Sequence, residues 1–178
     1  MLSKRERTLH MKKRITRREL EITDQSQIID ILDKCKVLHL AMVDGDEPYV
    51  IAMNYGYTME NDKLTIYMHG ATTGRKLDIL RVNPKVCFEM DCDIIPFDGK
   101  VACQYGTAYS SIIGTGKAEI VDDVEGKKEA LSILMKTQTG KDFEFTDKLV
   151  SIVSIIKVEV AEYTAKCRPL PPMHGKEA

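Results

Sequence analysis

The chain has 178 residues, 43% of them hydrophobic, with 26 Lys and Arg against 27 Asp and Glu and a formal net charge of −1. That is the size of one ordinary domain with enough apolar content for a core, and it excludes a disordered chain, a collagen-like repeat and a membrane-spanning protein. The balanced charge gives the molecule as a whole no bias toward polyanions.

Charge is nevertheless uneven at the start. Between Lys4 and Arg18 lie Lys4, Arg5, Arg7, Lys12, Lys13, Arg14, Arg17 and Arg18, against the single acid Glu6. A secretory signal needs an apolar stretch of roughly 7–15 residues after its positive charges, and none follows. A mitochondrial presequence is rich in serine, and this segment holds only Ser3. No run approaches the ~20 apolar residues of a membrane span, so the expected location is the cytoplasm. Met11, before Lys12-Lys13-Arg14, is an alternative start. The arm lacks interleaved aromatics and any nucleic-acid motif, so it reads as a solvated segment and nucleic acid is not an expected partner. The expected division is an arm over 1–20, a domain over 21–166 and a loose tail over 167–178.

Within the domain, Thr23-Asp24 predicts a cap and Ser26 to Lys34 a short amphipathic helix. Lys36 to Val43 predicts a strand, Asp44-Gly45-Asp46 a turn and Pro48 to Tyr57 the returning strand of a hairpin. After the turn Glu60-Asn61-Asp62-Lys63 comes a strand over Leu64 to His69. A helical pattern then carries Leu77, Ile79 and Leu80 on one side until Asn83-Pro84 stops it. Lys85 to Met90 predicts a fourth strand, followed by a loop through Pro96, Gly99 and Gly106. Tyr109 to Val121 reads as a long strand, Val124 to Lys136 as a helix and Val150 to Ala165 as the last strand. Strands joined mostly by hairpins, with helices inserted, predict a mainly β fold: an antiparallel sheet or small barrel, not a doubly wound one.

The five cysteines, Cys35, Cys87, Cys92, Cys103 and Cys167, show no pairing pattern and read as reduced thiols. No metal is expected, because neither a C-x-x-C nor an H-x-x-x-H pair is present. Cys103 reads as a buried thiol at a strand start. His39, between Leu38 and Leu40, is expected at the core edge. Asp91 and Asp93 could pair as carboxylates, but they read first as an acidic loop.

The segment His69-Gly70-Ala71-Thr72-Thr73-Gly74-Arg75-Lys76 carries the most chemistry. A strand ends, small residues allow a tight turn, and a helix begins with two cations. A helix start favours an anion, so cations placed there need a reason. A bound phosphate supplies one: Arg75 can grip two oxygens, Lys76 adds a point charge, and Thr72 and Thr73 add hydroxyl donors. A solvated basic face beside an ordinary turn is the competing reading. The spacing is not that of a P-loop.

Laid out in order, these pieces resemble the pyridoxamine 5′-phosphate oxidase-like flavin-binding split barrels, in particular the branch related to 5-nitroimidazole resistance proteins. The resemblance covers about Lys12 to Lys166. Its marks are the basic start running into Glu21-Ile22-Thr23-Asp24, Cys35-Lys36-Val37 with Leu40-Ala41-Met42-Val43, and Pro48-Tyr49-Val50 with Asn54-Tyr55-Gly56-Tyr57. They continue through Tyr67-Met68-His69-Gly70-Ala71 with Gly74-Arg75-Lys76, Asn83-Pro84-Lys85-Val86-Cys87-Phe88-Glu89, Cys103 and Tyr109 to Ala118. Relatives commonly carry Trp two residues after the motif cysteine, where this chain has Tyr105.

The resemblance implies a six-stranded antiparallel split β-barrel that forms a homodimer with FMN between the subunits. It places the FMN phosphate at His69, Gly70, Ala71, Thr72, Gly74, Arg75 and Lys76, and the flavin ring along Met53, Asn54 and Tyr55. Ser110 and Ser111 of the other subunit would close the site. The implied activity is a reductase in which NADH or NADPH reduces the flavin, which then reduces a small acceptor such as a nitroaromatic. His69 is the candidate catalytic group, because an imidazole can donate a proton near neutral pH. The alternative is a split-barrel protein that holds flavin or haem without turnover, since fold does not settle function.

Overall fold

The computed structural model of the protein describes residues 16–172, so most of the basic arm and the last part of the tail lie outside the described residues. A single turn at Arg18–Leu20 precedes β1 (Glu21–Ile22), α1 (Gln25–Lys34), β2 (Leu38–Asp44), β3 (Glu47–Met53), β4 (Tyr55–Glu60) and β5 (Lys63–Gly70). Then come α2 (Arg75–Val82), β6 (Lys85–Phe97), β7 (Gly106–Val121), α3 (Val124–Thr139), α4 (Asp147–Ser151) and β8 (Ser154–Arg168).

The strands form one antiparallel sheet in the order β3-β2-β6-β7-β8-β5-β4, with β1 also against β8. The two edge strands, β3 and β4, are consecutive in the chain and only Asn54 separates them. The sheet therefore curls until both edges meet on one stretch of backbone, and the barrel is closed there by the chain instead of a hydrogen-bonded ladder. The strand expected over Pro48 to Tyr57 is this bent pair. Counted as one, it leaves six principal strands in a mainly β, split-barrel architecture.

Local sequence explains the elements. On β2, Leu38, Leu40 and Met42 are buried while His39 and Val43 are exposed; β5 buries Leu64, Ile66 and Met68 in the same period of two. The Asp24 carboxylate accepts from the Gln27 amide at 3.0 Å and caps α1, whose Ile28, Ile31 and Leu32 enter the core. Asp123 caps α3 in the same way at 2.6 Å, and Gly140, in the left-handed region at φ 72°, ends it. Helix α3 rests directly on β4: a Cβ at Gly56 would lie 2.4 Å from the Leu134 Cα.

Three boundaries differ from expectation. Strand β6 continues to Phe97 through Pro96, in place of a loop. The register shifts between Cys92 and Ile95, Asp93 takes φ 55°, and beyond that bulge β6 pairs with β7 alone. A proline there removes no inner ladder bond. Val150 belongs to α4, because Thr146 caps that turn by accepting from the Leu149 amide at 3.4 Å, and the strand starts at Ser154. At the other end Cys167 and Arg168 pair with Ser110 and Tyr109, so this part of the expected tail is sheet.

Candidate functional site

The β5–α2 junction is built as a cradle. Gly74 caps α2 with φ +134°, a conformation open to glycine, and it has no side chain to fill the helix start. Its carbonyl accepts from the amides of Leu77 at 2.9 Å and Asp78 at 3.3 Å. The amides of Arg75 and Lys76 precede those bonds, so helix geometry gives them no carbonyl acceptor and leaves them for an anion. A Cβ on Gly70 would meet the Lys76 Cε at 2.7 Å and Nζ at 2.8 Å, so the lysine lies over the glycine's backbone. Thr72, Thr73 and Gly74 are exposed, as are Ala71 and His69.

Arg75 reaches the β2–β3 turn. Its Nε donates to the Asp44 carboxylate at 2.9 Å, and its guanidinium carbon lies 4.7 Å from the centre of the Tyr49 ring. A cavity of about 520 Å³ adjoins this contact, with Asp44, Arg75, Asp78 and Asn83 in its walls.

The residues expected along the flavin ring lie at the same end of the barrel. Tyr55 pairs with Met68 in the β4–β5 ladder, which sets Asn54 and His69 one position further on. The side chains of Met53 and Tyr55 point into the core, however, at 8% and 0% exposure, so only their backbone is available to a ligand within one protomer. The Tyr55 hydroxyl donates to the Leu32 carbonyl at 2.7 Å, and burial pushes its ionisation far above the ordinary tyrosine range. Asn54 is exposed. It donates to the Lys36 carbonyl at 3.0 Å, and Gln138 of α3 donates to the Tyr55 carbonyl at 2.7 Å, so the bend between the edge strands is tied on both sides.

Ser110 and Ser111 are buried on β7 and do not join this group. His69 faces Ile155 on β8, whereas Ser111 faces Lys166, eleven positions further along that strand. At ~3.3 Å per residue this is roughly 35 Å of strand.

Two further expectations are corrected. His39 does not pack at the core edge: it stands on the outer face of β2, where its Nδ1 lies 3.2 Å from the Glu89 carboxylate, its register partner on β6. The alternation that buries Leu38 and Leu40 turns His39 outward. Cys103 is exposed on the turn Ala102–Gln104, three residues before β7 begins, so it is not a buried strand-start thiol. Tyr105, just beyond it, is 56% exposed. The buried thiol is Cys35, at the end of α1, and burial raises its pKa strongly. Asp93 makes an ion pair with Lys34 at 3.1 Å, while Asp91 lies near His39 and Glu89. The contact between Asp44 and Arg75 was not legible in the sequence, since 31 residues separate the partners.

The sequence profile of the pyridoxamine 5′-phosphate oxidase family matches residues 24–167. A structure from Bacteroides thetaiotaomicron, named as a candidate 5-nitroimidazole antibiotic resistance protein, is similar at 32% identity over 83% of this chain and 86% of that one, with a TM-score of 0.71. A flavocytochrome from Azotobacter vinelandii shares the fold at 21% identity, covering 92% and 76% of the two chains with a TM-score of 0.72. An FAD and haem binding protein from Mycobacterium smegmatis shares it at 16%, covering 85% and 75% with a TM-score of 0.73. No curated protein matches the chain. Among the described residues, no helix is long and apolar enough to cross a membrane.

Proposed function

The chain belongs to the pyridoxamine 5′-phosphate oxidase family, and from that premise we propose that it is an FMN-binding reductase that passes electrons from a nicotinamide donor to a small acceptor such as a nitroaromatic. The observation that carries the reading is the cradle at Gly70–Lys76: open helix amides, a glycine cap and two cations on a loop free of carboxylates. A terminal phosphate fits that donor set, because the open amides, the Lys76 ammonium and the terminal nitrogens of Arg75 all donate. When bound, the flavin supplies the electron chemistry, and the protein supplies binding, orientation and polar tuning.

In this reading Lys76 and the amides of Arg75 and Lys76 hold the phosphate, and the Arg75 fork adds a second pair of donors. The backbone at Met53, Asn54 and Tyr55 lines the ring, held rigid by the bonds of Asn54 to Lys36 and of Gln138 to Tyr55. His69, exposed one ladder position beyond the Tyr55–Met68 pair, is the group that can donate a proton to a reduced acceptor. Ser110 and Ser111 are buried and lie far along β7 from their own cradle, and their place in a homodimer, supplied by the partner, rests on the family resemblance alone. On the outer face of the β2–β3 hairpin, Val43 and Val50 are exposed at 43% and 61%, apolar positions that a second copy would cover. The nitroaromatic acceptor is suggested by the name of the Bacteroides relative. Five free thiols suit a reducing compartment, and we place the protein in the cytoplasm.

The test begins with the absorption spectrum of freshly purified protein, followed by heat release and chromatography of the pigment. Two flavin bands and released FMN are expected, followed by steady oxidation of NADH or NADPH when a nitroaromatic is added. Oxidation that stops at one equivalent would reduce the proposal to a flavin carrier, and a sharp haem band would replace the cofactor. A colourless protein that takes up no added FMN would end it.

A further inference from the structure

We infer that Asp44 and Tyr49 are positioning residues that orient the Arg75 guanidinium for a ligand phosphate, an inference that rests on the phosphate reading given above. Arg75 is the first residue of α2, whereas Asp44 and Tyr49 flank the β2–β3 turn. An exposed arginine at a helix start has several rotamers of similar energy, and each bond it makes to a ligand costs rotamer freedom. Here two contacts remove that freedom in advance.

The two contacts are complementary in direction. Asp44 takes the Nε hydrogen at 2.9 Å, and the Tyr49 ring lies against the guanidinium, 4.7 Å from its carbon. A guanidinium carries five N–H donors in a planar fork. With Nε engaged and the plane fixed by the ring, the donors on the two terminal nitrogens remain for a bidentate bond to phosphate oxygens. Tyr49 is itself fixed: it is half-buried, packs against the core and pairs with Met42 across the hairpin. Gly45, at φ +67°, begins the tight turn that sets Asp44 and Glu47 opposite one another. The hairpin thus acts as a rigid jig for a long side chain from another element.

A competing arrangement is physically distinct. The Asp44 carboxylate could merely neutralise Arg75 and repel a phosphate dianion, in which case removing its charge would tighten binding. Positioning predicts the opposite sign.

The experiment titrates cofactor-free protein with FMN and, separately, with riboflavin, which lacks the phosphate, while following flavin fluorescence. Asp44→Asn and Tyr49→Leu should each weaken FMN by about two- to fivefold, the range for an exposed ion pair or a cation–π contact. Riboflavin affinity should stay at the wild-type value, and Tyr49→Phe, which keeps the ring, should bind FMN like the wild type. In an Arg75→Ala background, Asp44→Asn should change nothing. Unchanged or tighter FMN binding in Asp44→Asn would overturn the inference and leave the flavin reading standing, and so would equal losses for FMN and riboflavin. Wild-type protein that binds neither flavin would remove the flavin reading and this inference together.

Discussion

The Tyr55 hydroxyl, from the edge strand β4, donates to the Leu32 carbonyl in the last turn of α1 at 2.7 Å, with both residues at 0% exposure. A phenol in the middle of an apolar core thus satisfies a carbonyl that has run out of helix. Tyr55→Phe keeps the ring and strips the donor. It should lower stability by about 1–2 kcal/mol, because the Leu32 carbonyl is left buried without that partner. Urea unfolding should show a lower midpoint at an unchanged slope, and FMN affinity should not move. A midpoint equal to the wild type would mean that another donor replaces the hydroxyl.

Gly56 leaves no room for a methyl group. A Cβ there would lie 2.4 Å from the Leu134 Cα and 2.6 Å from its amide nitrogen, both backbone atoms that cannot swing aside. Gly56→Ala should therefore push α3 off β4 and cost about 2–3 kcal/mol, at the upper end of overpacking. Denaturation midpoints would show it, and the loss should exceed that of Tyr55→Phe.

Removing both cradle cations tests the phosphate placement directly. Arg75→Ala with Lys76→Ala should lower FMN affinity by about tenfold to a few hundredfold, the range of one charged hydrogen bond at ~1.5–3 kcal/mol, because solvent screening discounts two surface cations. Circular dichroism should show the fold retained, because both side chains lie on the cradle surface and not in the core. Full retention of flavin in this double variant would remove the phosphate from this loop.

Acid should act through the helix caps. The Ser26 hydroxyl and the Gln27 amide hold the Asp24 carboxyl below its ordinary value of 3.8. A depressed carboxylate contributes stability above its unfolded-state pKa and loses it as pH falls through the folded one. The gap in melting temperature between the wild type and Asp24→Ala should therefore be constant above pH 3.8 and narrow below it. Asp24→Asn, which caps without ionising, should keep its lead over Asp24→Ala into the acid range.

How far the sequence carried depends on range along the chain. The hairpin around Asp44-Gly45-Asp46, the Asp24 cap and the strand–turn–helix at His69–Lys76 are local, each written in a few consecutive residues, and each appears where expected. Non-local features were harder. Asn54 looks like one more residue of a strand, yet it is where the sheet's two edges meet, a fact fixed by pairing with β2 and β5. Val150 lies in a β-branched run but answers to the Thr146 cap. Tyr55 sits among the residues that the family resemblance assigns to the flavin ring, but its side chain serves the core. The anchoring of Arg75 on Asp44 and Tyr49 leaves no pattern in spacing at all, since only the folded chain brings the hairpin and the helix together.

The place of β8 in the sheet has a consequence during synthesis. It is the last of the eight strands to be made, yet β7, β5 and β1 all pair with it. On the ribosome the nascent chain can assemble β3-β2-β6-β7 as one ribbon and β4-β5 as another, linked through Asn54, but no strand ladder joins them until residues 154–168 emerge. The β5–β8 pairs that complete the barrel then join residues as far apart as Thr65 and Glu159, which makes closure slow. Until that moment β7 and β5 each present an open edge, the kind of surface on which a chaperone, or another unfinished chain, can settle.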